Sequence, residues 1–254
     1  MPFTFSHPAI VVLLNKTRFG LSLTGLVVGS MIPDFEFFIR MRTAENIGHH
    51  WLGIFIFDVP LALILCFLFH NIVRNLLIEN LPTFYSRHFT VFSSFNFNRF
   101  AATNKCQLLI SIVLGILSHL FWDAFTHYDG MMVQLLPVLS KNIPLFKFAI
   151  PVYLVLQIVS SIWGLWAMHN YIKKLPVGTL PKQKSNNAYW HILLYVTAFI
   201  FMFRVAILPQ YLTFWDVFMS AVGSGFYALI ITSIYTQIEW LNSKRNNSCC
   251  NKLV

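Results

Sequence analysis

Charge is the scarcest property of this 254-residue chain, in which 11% of residues are charged against roughly 25% in an ordinary soluble domain. With 57% of residues apolar, that shortage nearly excludes a soluble globular protein. Acidic residues are rarer still, 9 against 18 Lys and Arg, for a net charge of +9. In so apolar a chain the basic excess belongs to loops flanking lipid, so no nucleic-acid partner is expected. Cysteine is sparse, at Cys66, Cys106, Cys249 and Cys250, with no paired spacing, which argues against both a disulfide framework and a thiolate metal site. There is no G-x-S-x-G and no Gly-rich phosphate loop, so a serine hydrolase and a nucleotide-driven pump lack support.

What is abundant is aromatic and aliphatic. The 26 Phe and 7 Trp suit helices facing acyl chains and headgroups. The opening MPFTFSHPAIVVLL carries no charge before Lys16, unlike a removable secretory signal. Five segments suit about 20-residue membrane crossings: Trp51 to Phe69, Gln107 to Trp122 with a polar extension, Ile150 to Met168, Trp190 to Leu208 and Val217 to Thr236. Two shorter stretches, Pro8 to Leu14 and Phe19 to Ile32, flank the turn Asn15-Lys16-Thr17-Arg18. They read as a short-helix hairpin that brings His7 and Asp34 to one side, tolerable at membrane depth only where protein covers it. The expected fold is an all-α polytopic membrane helix bundle of about five full spans plus this hairpin. It forms one integral membrane domain over 1–254, with the hairpin at 1–33, the bundle at 51–240 and a polar tail at 241–254.

Basic residues orient the spans, because cytoplasmic loops carry the positive excess. Arg74, Arg87, Arg99 and Lys105, then Lys173, Lys174, Lys182 and Lys184, then Lys244, Arg245 and Lys252 fall on one side; Arg40, Arg42, Lys141 and Lys147 fall on the other. The N-terminus is therefore expected outside and the C-terminus inside. A hairpin that crossed as a single span would move only the N-terminus.

Many of the acidic and histidine residues lie in three patches assigned to the same outer face: His7 with Asp34; His49 and His50 with Asp58; and SHLFWDAFTHYDG. In the last, His119, Asp123 and His127 stand at i, i+4 and i+8, drifting about 40° per step along one helical stripe. Two imidazoles and a carboxylate on one stripe suit a divalent metal. An intramembrane Asp costs roughly 2.5 to 3.5 kcal/mol on insertion scales, so Asp58 and Asp123 mark a functional hypothesis by default. On a continuous helix His50 and Asp58 are about 80° apart and could share a face, and Pro60 is placed to open the helix near Asp58. The competing reading is that these groups satisfy one another as glue within the bundle. His70, His88, His169 and His191 fall at span ends or in loops and are left out of the site. Gly223, Ser224 and Gly225 are read as helix packing, and Gln157, Ser160 and Ser161 as interhelical hydrogen bonding.

The segments MPFTFSHPA, LSLTGLVVGSMIPDFEFF, GHHWLGIFIFDVPL, LGILSHLFWDAFTH and LQIVSSIWGL resemble a bacterial multi-pass family catalogued as domain of unknown function 4184. The likeness covers most of the chain and is strongest through Leu165. More distantly, the order His, Pro-Asp, His, His-x-x-x-Asp is similar to inner-membrane metal-dependent hydrolases, a family named largely by prediction. The resemblance implies a bacterial inner-membrane location and points to His7, Asp34, His49, Asp58, His119, Asp123 and His127 as signature positions. The family pattern has Ser or Thr after the His aligned to His49, where this chain has His50, so both stay in the set.

The expected function is a metal-dependent hydrolase acting at the outer face on an amphiphilic substrate, with phosphate-containing compounds among the candidates. His7, Asp34, His49, His50, His119 and Asp123 are the candidate ligands for one or two ions, and Asp58 or His127 the general base or orienting group. Zinc suits the mixed nitrogen and oxygen ligands best, with manganese or iron as the other choices. The alternative is a non-catalytic membrane protein whose His/Asp cluster is structural or forms a cation or proton path.

Overall fold

Long apolar runs without helix-breaking interruptions become helices, since in lipid only a helix satisfies its own backbone polar groups within one segment. The computed structural model describes residues 3–16, 20–43, 47–145, 147–179, 187–210 and 213–250. Thr17 and Arg18 of the hairpin turn, Lys182 and Lys184, and Lys252 of the tail lie outside the described residues. A short 3-10 turn, Thr4–Ser6, leads into α1 (Pro8–Val11), followed by α2 (Leu23–Gly29) and α3 (Ile32–Arg40). Five helices are long and apolar enough to cross a membrane: α4 (Trp51–Asn80), α5 (Lys105–Thr126, continued after a turn to Leu135), α6 (Val152–Lys173), α7 (Asn187–Ile207) and α8 (Phe214–Cys250, apolar through Ser243). A two-stranded antiparallel hairpin, Asn142–Leu145 with Phe148–Pro151, precedes α6. The all-α bundle with five spans and a short N-terminal helix is what the hydropathy pattern implied.

The chain divides into two compact units. The first comprises Met1–Glu36, Asn46–Cys66 and Asn96–Leu175. Its centre is the crossing of α2 and α5. Ser22 caps α2 by accepting from Gly25 N at 3.1 Å, while its own N–H donates to Ser111 Oγ on α5 at 2.8 Å. Glycine permits the approach: a Cβ on Gly115 would stand 2.5 Å from Leu26 O, and one on Gly29 would collide with Ile112 O. Leu26, Ile112 and Ile116 fill the seam and are wholly buried. Small residues let backbones meet where lipid offers no hydrophobic gain from association. By contrast Gly164 is the buried residue of α6, and Trp163 and Trp166 are exposed, as befits an apolar surface bathed in acyl chains.

Within the first unit α4 is irregular. Pro60 has no N–H to return to Ile56, and the ladder shifts to π geometry over Ile54–Asp58, where Val59 N bonds Ile54 O. The expected opening near Asp58 is present, as a π turn.

The second unit comprises Phe37–Glu45, Phe67–Phe95 and Pro176–Val254, with α7 packed on α8. Here α3 ends in a left-handed residue, Met41 at φ 51°, with Arg42 N bonded back to Phe37 O at 3.2 Å. The strain is held by two donors to the Met41 carbonyl, Arg204 Nη2 at 3.0 Å and Ser220 Oγ at 2.7 Å. Asp216 accepts from Thr43 N at 2.7 Å and from the hydroxyls of Thr43 and Thr213 at 2.8 and 2.6 Å, which ties this corner to the start of α8. Gly223 bears out the packing expectation, since a Cβ there would strike Phe38 O. Gly225 does not, because it faces open space.

The two glycine environments give opposite expectations. Gly29→Ala forces a methyl into the Ile112 backbone and should cost about 1 to 3 kcal/mol, seen as a lower thermal midpoint in detergent. Gly225→Ala should leave the midpoint unchanged or slightly raised. Equal midpoints for the two variants would show that the α2/α5 seam is looser than this crossing.

Candidate metal centre

Three segments of the first unit converge on one polar pocket. Asp34 lies in the first turn of α3, His119 and Asp123 one helical turn apart on α5, and His49 in the loop before α4. Each offers one ligating atom, and all four atoms lie within 4.8 Å of one another. His119 Nε2 stands 3.2 Å from Asp123 Oδ2 and 3.5 Å from Asp34 Oδ1. His49 Nε2 stands 3.4 Å from Asp123 Oδ2 and 3.9 Å from Asp34 Oδ1.

The three shorter separations are close to those of ligands sharing an ion. With metal bonds of about 2.0 to 2.2 Å, the corners of a tetrahedron are roughly 3.3 to 3.6 Å apart. Asp34 Oδ1, His119 Nε2 and both Asp123 carboxylate oxygens are buried and make no hydrogen bond among the described residues. Among the described residues, the ion-pair partners of Asp34 and Asp123 are imidazoles. A buried carboxylate without a hydrogen bond is costly, and a divalent cation would neutralise both at once. Two imidazoles and two carboxylates could hold a metal ion, and the donor set is of the hard to borderline kind.

The supporting contacts orient the donors. His119 Nδ1 lies 2.8 Å from Ser30 O; a carbonyl only accepts, so Nδ1 carries a proton and Nε2 is the nitrogen directed into the pocket, where a bound ion would take its lone pair. Thr4 Oγ1 donates to Asp34 Oδ2 at 2.6 Å, leaving Oδ1 to face the imidazoles.

His7 is brought to the same pocket, as the hairpin expectation required, but falls outside the four-residue group. Its ring stacks on His119 with centroids 3.9 Å apart and 21° between planes, and Nε2 lies 3.7 Å from Asp123 Oδ1. Burial pushes the His7 imidazole down to about 3, so the ring is neutral. His127 caps the C-terminus of α5 in extended conformation, ending the expected stripe at Asp123. Its Nδ1 lies 3.2 Å from the Asp123 carbonyl and 3.5 Å from Asp123 Oδ2.

The pair His49 and His50 separates. His50 is the exposed, extended residue that precedes α4, and it does not join the group. It shares no face with the buried Asp58, because the helix starts only at Trp51 and the π turn then shifts the register. Asp58 is fully buried and neither of its oxygens makes a hydrogen bond. A Cβ at position 48 would stand 2.8 Å from its Oδ1 and 3.1 Å from Pro33 O, so glycine lets the loop approach closely there.

One contributor escaped the sequence reading. Glu36 is fully buried, and its Oε2 accepts from Ile47 N at 2.7 Å and Gly48 N at 3.1 Å, fixing the loop that presents His49. An acidic residue among phenylalanines, two places after Asp34, was the available signal. The serine expectation holds: Trp122 Nε1 donates to Ser160 Oγ at 3.0 Å and Phe3 N to Ser161 Oγ at 2.9 Å. His70 and His88 bond locally, to Arg74 and to the Phe84 carbonyl.

A family profile described as Domain of unknown function (DUF4184) matches residues 1–234. The chain belongs to the DUF4184 family. The match takes in every residue of the pocket, the first four spans and α8 as far as Ile234, so the His/Asp group lies within the family region of this DUF4184 protein. No curated protein and no solved structure matches the chain.

The loop clamp is open to direct measurement. Charge-assisted hydrogen bonds contribute about 1.5 to 3 kcal/mol each, so Glu36→Ala should lower the thermal midpoint clearly and Glu36→Gln, which keeps an acceptor oxygen, should lower it less. A Glu36→Ala variant that melts like wild type would remove the clamp from the account.

Proposed function

We propose that this protein is a membrane-embedded, metal-dependent hydrolase acting on an amphiphilic substrate, with phosphate-containing compounds as the first class to examine. The observation that carries the reading is the group Asp34, His49, His119 and Asp123, whose ligating atoms lie within 4.8 Å and include buried carboxylate oxygens without hydrogen bonds. In it these four residues hold the ion, zinc by preference and manganese or iron otherwise. When bound, such an ion acidifies water toward neutral pH and polarises a phosphoryl or carbonyl oxygen. Ser30 keeps His119 in the tautomer that can ligate, and Thr4 turns Asp34 toward the pocket. Asp58 supplies a buried base beside Gly48, and His127 a less buried proton acceptor beside Asp123. Exposed Trp51, Leu52, Phe55 and Ile56 follow His49 closely and provide the apolar flank an acyl chain would require.

A second reading takes the cluster as structural, or as part of a cation or proton path through a non-catalytic protein. The buried, unbonded Asp58 favours it, because it extends the polar groups beyond the four ligands.

Metal content separates the two. Mass spectrometry of detergent-purified protein should find stoichiometric metal in wild type and its loss from a folded His119→Ala/Asp123→Ala variant, with phosphoester hydrolysis lost in parallel. Well-folded wild type that stays metal-free after reconstitution with zinc, manganese or iron would overturn the hydrolase.

The same proposal places the protein in a bacterial inner membrane with N-terminus and site outside and C-terminus inside, on the Lys and Arg asymmetry. A reporter active only in the cytoplasm should work when fused after Asn247 and fail after Asp129. The reverse pattern would put the site on the cytoplasmic side.

A further inference from the structure

Asp123 presents its two oxygens to different imidazoles. Oδ2 faces His119 Nε2 at 3.2 Å, and Oδ1 faces His7 Nε2 at 3.7 Å. The two rings are nearly parallel, with centroids 3.9 Å apart and 21° between planes. A metal ion sits close to the plane of the imidazole that binds it, and both Nε2 atoms face the one Asp123 carboxylate, so ions held at them would stand about one stacking distance apart. Carboxylate-bridged two-metal sites have the same spacing, about 3.5 to 4 Å.

His7 itself lacks what a buried imidazole needs. It is 1% exposed, and neither ring nitrogen makes a hydrogen bond, although a neutral ring has one donor and one acceptor to satisfy. Its place is not accidental: Thr4, three residues earlier, is tied to Asp34 Oδ2, which anchors the N-terminal turn against a ligand of the first ion. Trp122 meets the His7 ring at its edge, with centroids 5.2 Å apart, and restricts its rotation.

We propose that His7 Nε2 and Asp123 Oδ1 hold a second divalent cation, with Asp123 bridging it to the ion of the four-residue group. This rests on the metal reading above and extends it from one ion to a dinuclear centre. Water completes the second ion's coordination. Such a centre suits phosphoester chemistry, because two ions can stabilise both the attacking and the leaving oxygen of an in-line displacement.

The opposing view is that His7 only stacks. His7→Phe tests this, since it keeps a flat ring over His119 and removes both nitrogens. Full-length protein in detergent is titrated with manganese(II) and followed by bound stoichiometry and electron paramagnetic resonance. Wild type should bind two ions per chain with an exchange-coupled spectrum; His7→Phe should bind one, with the six-line signal of an isolated ion. His7→Gln serves as the second variant if the Phe variant does not fold. One ion per chain in wild type, or two in a folded His7 variant, overturns the second site and leaves the first standing. Wild type that binds no manganese, zinc or iron overturns both.

Discussion

Two carboxylates, Asp34 and Asp123, share a buried pocket with their ligating oxygens within 4.8 Å of one another, and the rest of the first unit is arranged around that confinement. Like charges at such a distance repel by on the order of 3 to 4 kcal/mol at an effective dielectric of about 20. Burial removes the water that would screen them. A positive charge between them relieves both costs, and among the described residues the ion-pair partners that face them are imidazoles. Imidazoles can serve as neutral ligands to an ion that brings the charge.

The scaffold supplies the precision this needs. The glycine seam of α2 and α5 brings Ser30 O within 2.8 Å of His119 Nδ1, so the crossing that packs the helices also sets the tautomer of a ligand. Side chains with a Cβ at Gly29 or Gly115 would push α5 away and lose that bond. Glu36 does the same for the loop side, spending one carboxylate oxygen on two backbone N–H groups so that His49 is presented from irregular chain. Irregular backbone near membrane depth survives where its polar groups are bonded and covered. The second unit shows the same device within itself, with Arg204 and Ser220 holding the strained Met41 carbonyl.

Much of the pocket was legible before folding because the constraint is local. His119 and Asp123 are one turn apart on an apolar helix, and that spacing alone puts them on one face. Asp34 and Asp58 stood out because a carboxylate in an apolar run is costly to bury. What stayed hidden depended on where helices begin and where backbones cross. Whether His49 or His50 turned inward hinged on the start of α4 at Trp51 and on the π turn beyond it. The role of Glu36 hinged on a loop eleven residues away. The stacking of His7 on His119 joins positions 112 residues apart, and no periodicity relates them.

The amino-acid sequence by itself determined that this is a helical, membrane-type chain with five helices long and apolar enough to cross a membrane and with His and Asp at helical spacing, because hydropathy and helical spacing act over a few turns and need no partner. The tertiary structure alone decided which of those residues meet. Contact between ligands is set by backbone approach at Gly29 and Gly115, by the register of a π turn, and by hydrogen bonds from Ser30, Thr4 and Glu36. Each joins segments distant in sequence, so it exists only once the helices have packed.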